Sequence, residues 1–486
     1  MAETTLKQKT AKGLFWGGLS SGVQQLLSAA FGIYLARLLN ADDYGLIGML
    51  AIFTGVASTI TIQNGFSTAL INKKGATHDD YNAVFWFMIF AGLLVYAILF
   101  FAAPLIAQYY QRQELVPLIR VMSLGIFLGG IGTVPYTVMF KQLMIKQLSI
   151  ITIVSVLISG IAGITFAANG FTYWSLALQY VTLFALSAIL PCLISPWKPT
   201  LHIDFRPIKK IFGFSIKLFA TNLFSQISGN FLSFLFGRLY NGEVLGQYSQ
   251  GQKWALMGQQ FVGGSINSVA QPALVQINDD KQRQLNVLRK MIRFGAFISF
   301  PMMLGFAFVA KEFIVITIGE KWLPSVPFLQ LFCLWGAFAY LGSLFSNLIF
   351  SQGKSNIYMY ITIAVGLLQL IVVLKMHTMG ILYMVIGYLS INFGGLAVWL
   401  YYTHRLIGLR LKYLLLDILP FLTITIGCFF ITWLLTKNIL NLYVLIFSKI
   451  IIAGLLYFLI LKFSNAVILK ESMEFLLKNR GNKNKA

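Results

Sequence analysis

Apolar runs of about 20 residues, each bounded by a polar or charged cluster, recur from one end of this 486-residue chain to the other. A run of that length crosses the roughly 30 Å hydrocarbon core of a bilayer as one α-helix. Fourteen are read, near 14–37, 44–70, 83–107, 117–139, 148–168, 174–195, 211–236, 247–275, 292–312, 326–350, 357–376, 380–402, 413–436 and 442–461. Hydrocarbon offers the backbone no partners, so each span must satisfy its own peptide groups. The alternating ten-residue pattern of a membrane barrel is absent. An all-α integral membrane protein of about 14 helices is predicted. At 58% hydrophobic and 11% charged residues, with a mean hydropathy of +0.77, the composition excludes a water-soluble enzyme. No hydrophilic stretch is long enough for a separate catalytic domain.

Charge supplies the orientation. An even number of spans puts both termini on one side. That side carries 26 of the 37 lysines and arginines, the other side eight, and Lys217, Lys253 and Lys449 fall inside spans. Positive residues stay with the cytoplasm, so both termini are expected there. Much of the formal charge of +22 is then an orientation signal, and no nucleic-acid partner is expected. The first run is too long for a cleaved signal peptide and lacks a small-residue cleavage site, so the N-terminus is expected to be retained. The basic tail, Lys462 to Ala486, reads as solvated, with a mildly amphipathic stretch over 473–477. Cys192, Cys333 and Cys428 each sit in an apolar run with no partner at metal or redox spacing, and are read as packing residues.

The chain also repeats itself. The first connection reads ARLLNADDYG from Ala36, and the connection after the seventh run reads GRLYNGEVLG from Gly237. At a constant offset of 201 residues, Arg37 matches Arg238, Leu38 Leu239, Asn40 Asn241, Asp42 Glu243 and Gly45 Gly246, while Gln25 matches Gln226. Six spans separate the copies, so the halves share one orientation and a path between them is expected, as in transporters with parallel repeats. Within the motif, Arg suits a helix end near headgroups, Asn and Gly a tight reversal, and the acid the next helix's N-terminus, a structural role.

The N-terminal KGLFWGGLSSGVQQLLS, then ARLLNADDYGLIGML, then GEKW at Gly319–Trp322 with Pro324 and Pro327 following, carry a resemblance. In that order and spacing the chain resembles the polysaccharide transporter (PST) branch of the multidrug/oligosaccharidyl-lipid/polysaccharide exporter superfamily, and within it the Wzx-type lipopolysaccharide and capsule flippases. The resemblance implies two six-helix lobes, 1–205 and 206–404, followed by two additional helices and a basic tail over 405–486. It implies movement of polyprenyl-pyrophosphate-linked oligosaccharide across the bacterial plasma membrane by alternating access, without cofactor or metal. Membrane lipids and other polysaccharide assembly proteins would be its partners.

An ionisable residue inside a span is a functional candidate by default. Of the 15 acids only Asp417 lies within a span, about five residues inside the thirteenth, where it is expected to snorkel to the interface. A cation-coupled drug exporter needs a buried carboxylate, and the first twelve spans offer none, so that branch is disfavoured. Lys217 and Lys253 open the second half, where an ammonium would attract a pyrophosphate or acidic sugar; snorkelling is the alternative. Asn222, Gln226 and Asn230 recur at fourfold spacing on one face of the seventh span. Gln260 belongs to a similar set on the eighth, and Gln24 and Gln25 echo it on the first. Amides both donate to and accept from sugar hydroxyls, and helix-to-helix hydrogen bonding accounts for the stripe equally well. A membrane-embedded polymerase or glycosyltransferase is disfavoured, because the four histidines are isolated and no long outer loop exists. No phosphate-cradling glycine motif for ATP is present. Topology reporters test the orientation: fusions after Gly75 and Asp279 should read cytoplasmic, and those after Asn40 and Asn241 periplasmic. Disagreement within either pair would remove the parallel repeat.

Overall fold

The computed structural model describes residues 2–464 apart from 63–64, 74 and 278–279. The side chains of 1–15, 210, 211, 214, Lys217, 218, 355 and most of 265–276 are also outside the described set, as is the tail stretch 473–477. Described residues form helices and short connections, with no strand among them. This is the arrangement hydrocarbon requires, since a helix closes its own hydrogen bonds.

Contacts divide the chain into two compact units, one ending at Ser249 and the other starting at Gln250. The first contains α1 (Ala2–Leu38), α2 (Ala41–Thr61), α3 (Gly65–Asn72), α4 (His78–Tyr110), α5 (Leu115–Ile131), α6 (Thr133–Lys141), α7 (Ile145–Ala168), α8 (Thr172–Ile194), α9 (Arg206–Leu239) and the start of α10 (Gly242–Gln276). Here α1 packs on α7, α7 on α8, α8 on α5 and α5 on α4, while α2 lies along α9. The second unit holds the rest of α10, then α11 (Lys281–Ser299), α12 (Gly305–Phe308), α13 (Ala310–Thr317), α14 (Val326–Ser351), α15 (Ser355–Lys375), α16 (Ile381–Ile407), α17 (Leu411–Thr436) and α18 (Leu442–Phe463). In it α16 packs on α14 and α15, α17 on α11, and α18 on α13 and α17.

Eleven helices or joined helix pairs among the described residues are long and apolar enough to cross a membrane. Three more helices, α1, α9 and α10, run for 37, 34 and 35 residues at the places of the first, seventh and eighth predicted spans, and are less apolar than the others. Boundaries move where the local chemistry demands it. The predicted span 117–139 divides at Gly132 into α5 and α6. The predicted span 292–312 begins earlier, at Lys281, and Pro301, which has no N–H to donate, falls in a π turn over Phe300–Leu304 before α12. The GEKW segment is a turn with an anchor: Gly319 takes a φ of 99°, Trp322 is fully buried, and the Ser325 hydroxyl donates to the Trp322 carbonyl at 2.6 Å before α14 begins.

Two expectations about acids are corrected. Asp417 does not snorkel: its side chain is only 3% exposed and accepts both Arg289 Nε at 2.7 Å and Arg289 Nη2 at 3.0 Å, with Arg293 Nε at 3.7 Å. A lone carboxylate this deep would be costly, and the arginine fork of α11 offers a cheaper partner than the interface. The first twelve spans do hold a buried carboxylate: Glu312, at the end of the predicted span 292–312, is buried, and Lys449 Nζ of α18 donates to its Oε1 at 2.7 Å while lying 4.6 Å from the Phe308 ring centroid. Two buried ion pairs therefore hold α17 to α11 and α18 to α13. Replacing Asp417 by Asn strands the Arg289 guanidinium, and such a break costs about 3 kcal/mol. The thermal midpoint of the purified protein should fall by several degrees, and Asp417→Leu with Arg289→Met should recover most of that loss. An unchanged midpoint in Asp417→Asn would show that the pair does not hold α17.

Candidate functional site

The two copies of the repeated motif meet. A Cβ on Gly45 would overlap the Gly242 carbonyl oxygen, and a Cβ on Gly246 would overlap the Ala41 carbonyl oxygen. Ala41 and Gly242 are themselves counterparts at the offset of 201, so the two contacts are exchanged by a local two-fold operation. Gly48 packs against its own counterpart, with Ser249 Oγ 2.9 Å from where its Cβ would be, which places the local axis between them. An isologous contact of this kind makes one surface complementary to itself. Backbones approach this closely only where Gly removes the side chain.

Each turn is prepared by its own motif. In the first, the Asn40 N–H donates to Asp43 Oδ2 at 2.9 Å at the start of α2. In the second, Asn241 Oδ1 accepts the Val244 N–H at 2.9 Å at the start of α10. Asn and the neighbouring acid thus direct both helix starts so that their glycines face one another.

A charge pair closes over the contact. Arg112, in the connection between α4 and α5, donates from Nη1 to Asp42 Oδ1 at 3.0 Å and from Nη2 to Asp42 Oδ2 at 2.7 Å, a bidentate fork. Its Nε donates to Glu114 at 3.3 Å. The hydrogen bond to Asp42 raises the guanidinium pKa above its ordinary value, against the burial that would lower it. Asp42 lies against Gly242, so the pair brackets the second turn as well as the first. Aromatic rings surround the same end of α9: Tyr109 stacks on Phe234 at 5.2 Å, Tyr110 meets Phe234 edge-on, and the Arg238 guanidinium lies 5.7 Å from the Tyr109 ring centroid.

The predicted substrate contacts are spread along the polar helices. Gln226 and Asn230 come together on α9, where Asn230 Nδ2 donates to the Gln226 carbonyl at 2.9 Å and faces Gly55 of α2. Both amides lie against Gly55 of α2. Asn222, one turn nearer the N-terminus, is exposed. On α1, Gln24 is exposed and Gln25 half-buried. On α10, Lys253 is half-buried with Nζ 6.0 Å from the Trp254 ring centroid, and Gln260 is exposed. The Lys217 side chain lies outside the described residues. Gln259 joins helices, donating to the Phe332 carbonyl at 3.2 Å. The spacing pattern passed over Gln250, which is fully buried with neither end of its amide hydrogen-bonded among the described residues. Among the described residues no group of three His, Cys, Asp or Glu side chains could hold a metal ion.

These helices and their self-paired turns define a multi-span, all-helical membrane protein built on a parallel repeat. The chain belongs to the polysaccharide biosynthesis protein family, which it matches over residues 34–327. It is similar to the lipopolysaccharide biosynthesis protein WzxC of Escherichia coli (strain K12), with 23% identity over 360 residues, 73% of this chain and 72% of that protein. It is also similar to the teichuronic acid biosynthesis protein TuaB of Bacillus subtilis (strain 168), with 26% identity over 323 residues, 63% of this chain and 64% of that one. Among solved structures, the lipid II flippase MurJ in an inward closed conformation matches with a TM-score of 0.77 at 14% identity, covering 94% of this chain and all of that one. That likeness shows a shared fold.

A bulky residue at the glycine contact should force the turns apart, since overpacking costs about 1–3 kcal/mol, enough to shift a closed–open balance tenfold or more. Leu46, 1% exposed beside Gly45, reports on this. With the three native cysteines replaced by serine, Leu46→Cys should react slowly with a polar maleimide, and Gly246→Leu should accelerate the reaction about tenfold or more. Equal rates would show that the contact is not a seal.

Proposed function

We propose that this protein is a flippase that carries polyprenyl-pyrophosphate-linked oligosaccharide, such as an O-antigen, capsule or exopolysaccharide repeat unit, across the bacterial plasma membrane by alternating access. The observation that carries the reading is the self-complementary glycine contact between the repeated motifs, locked by Arg112 and Asp42. A closure built from two equivalent turns is what a passage opened and shut by a parallel repeat requires. Family membership and relatives named for lipopolysaccharide and teichuronic acid biosynthesis support the class of cargo.

With both termini in the cytoplasm, as the lysine and arginine distribution suggests, both motifs and Arg112 stand on the periplasmic face. The closed contact then corresponds to a state shut to the periplasm. The repeat supports lobes at 1–205 and 206–404, with 405–486 as an appended pair of helices and a basic tail. Lys217 and Lys253 would meet the pyrophosphate, while Asn222, Gln24, Gln25 and Gln260 would meet sugar hydroxyls, the polyprenyl chain staying in lipid. Gln226 and Asn230 would hold α9 in place for them. Other polysaccharide assembly proteins would supply and receive the cargo.

The reading as a cation-coupled exporter is weakened on revised grounds. Buried carboxylates do exist, at Glu312 and Asp417, but each is engaged by a basic side chain. Deleting the gene should make lipid-linked oligosaccharide accumulate in its unpolymerised form while surface polysaccharide falls. The double variant Lys217→Ala with Lys253→Ala, at normal abundance, should reproduce that phenotype in part. Normal lipid intermediates in the deletion strain would overturn the flippase reading, and normal polysaccharide from the double variant would remove the lysines from it.

A further inference from the structure

The start of α9 carries a second site, separate from the repeated motifs. At about 1.5 Å per residue, its 34 residues extend about 51 Å, well beyond the roughly 30 Å hydrocarbon core, so its first turns stand at the membrane boundary. A cavity of about 560 Å³ opens there, lined by Phe87, Phe90, Phe205, Ile208, Lys209 and Phe212. Among the described residues its walls are almost wholly apolar, with Lys209 the one charged lining residue. Arg206 lies three positions earlier on the same helical face, its side chain 93% exposed; its Nε is 4.0 Å from Asp204 Oδ1, which also accepts the Arg206 backbone N–H at 2.9 Å.

The pocket has a fixed wall. His78, Asn82 and Trp86 recur at fourfold spacing along α4, and each bonds the backbone of the linker that ends at Phe205. His78 Nε2 is 3.1 Å from the Lys198 carbonyl, Asn82 accepts the Thr200 N–H at 3.0 Å and donates to the His202 carbonyl, and Trp86 Nε1 donates to the Thr200 carbonyl at 2.8 Å. Phe90 then meets Phe205 edge-on at 6.2 Å. Phe85 meets both Trp86 and the buried Trp197 edge-on, packing this wall from behind.

We infer that this pocket binds an anionic phospholipid of the adjoining leaflet, with its phosphate on Lys209 and Arg206 and part of an acyl chain among the phenylalanines. A cationic rim over an apolar cradle at headgroup depth matches a lipid phosphate and its chain. Among the described residues no amide or hydroxyl side chain lines the pocket, so they offer an acyl chain more than a glycan, and the phospholipid is the occupant they fit. The site is independent of the transport reading.

Native mass spectrometry of the full chain, titrated with phosphatidylglycerol, phosphatidylcholine or undecaprenyl diphosphate, tests it. The parent should retain phosphatidylglycerol at least about tenfold better than phosphatidylcholine, an energy difference of about 1.4 kcal/mol. Lys209→Ala with Arg206→Ala should abolish that preference, and Phe212→Ser should weaken binding of both phospholipids. The pair Lys354→Ala with Arg410→Ala, removing the same charge elsewhere, should leave the preference intact. Preference surviving Lys209→Ala with Arg206→Ala overturns the site, as does equal loss in the Lys354 and Arg410 variant. Undecaprenyl diphosphate displacing phosphatidylglycerol at equal concentration overturns the assigned occupant. Melting midpoints of the variants distinguish lost binding from lost folding.

Discussion

The near-contact of two backbones, Gly45 against Gly242 and Gly246 against Ala41, is the constraint on which the described site depends. A methyl group at either glycine would occupy the space of a carbonyl oxygen, so the approach exists only because both side chains are missing. Once these turns touch, α2 and α10 must start at one point and α9 must run beside α2. The aromatic cluster of Tyr109, Tyr110 and Phe234 and the Arg112 fork then fall around that point. Close small-residue contacts of this kind replace the hydrophobic drive that water gives soluble helices and lipid does not.

Charge inside the apolar bundle is placed with equal economy. Asp417 and Glu312 would be costly alone, and each is matched by basic groups from a helix distant in sequence, Arg289 and Arg293 for Asp417 and Lys449 for Glu312. Removing one member leaves an uncompensated charge, whereas an apolar pair of similar size can be nearly neutral. Helices α17 and α18 are therefore fixed by specific partners, where apolar packing alone would let them slide. This also revises the meaning of the acid count: carboxylates are present in the bundle, but each already has a partner.

The spans were legible because hydrocarbon imposes a length and a composition that one sequence displays directly. The repeated motif was legible because its residues are local and recur at one offset. Its physical role was only half visible, since Asn40 and Asn241 read as turn residues while the contact between Gly45 and Gly246 brings together residues 201 positions apart. Nothing near Arg112 points to Asp42, and nothing near Lys449 points to Glu312, because such pairing is decided by tertiary packing. The amide stripe shows the limit most clearly. Periodicity placed Asn222, Gln226 and Asn230 on one face, but only Gly55 opposite Asn230 shows that part of this face is given to helix packing. Periodicity identifies a face; what the face meets depends on the neighbouring helix.

The symmetry of the seal is broken in its charges. Asp42 has Arg112 as a bidentate partner, and the counterpart of Asp42 is Glu243, which is exposed. At the same offset of 201 the counterpart of Arg112 is Phe313, which packs edge-on against Trp254 at 5.3 Å. The backbone contact is thus shared by both copies, while among the described residues the bidentate ionic lock is made at one. Glycine packing fixes where the turns meet, and it contributes through dispersion that salt does not screen. The partly exposed Arg112–Asp42 pair contributes on the order of 1 kcal/mol or less, and salt or a competing anion weakens it.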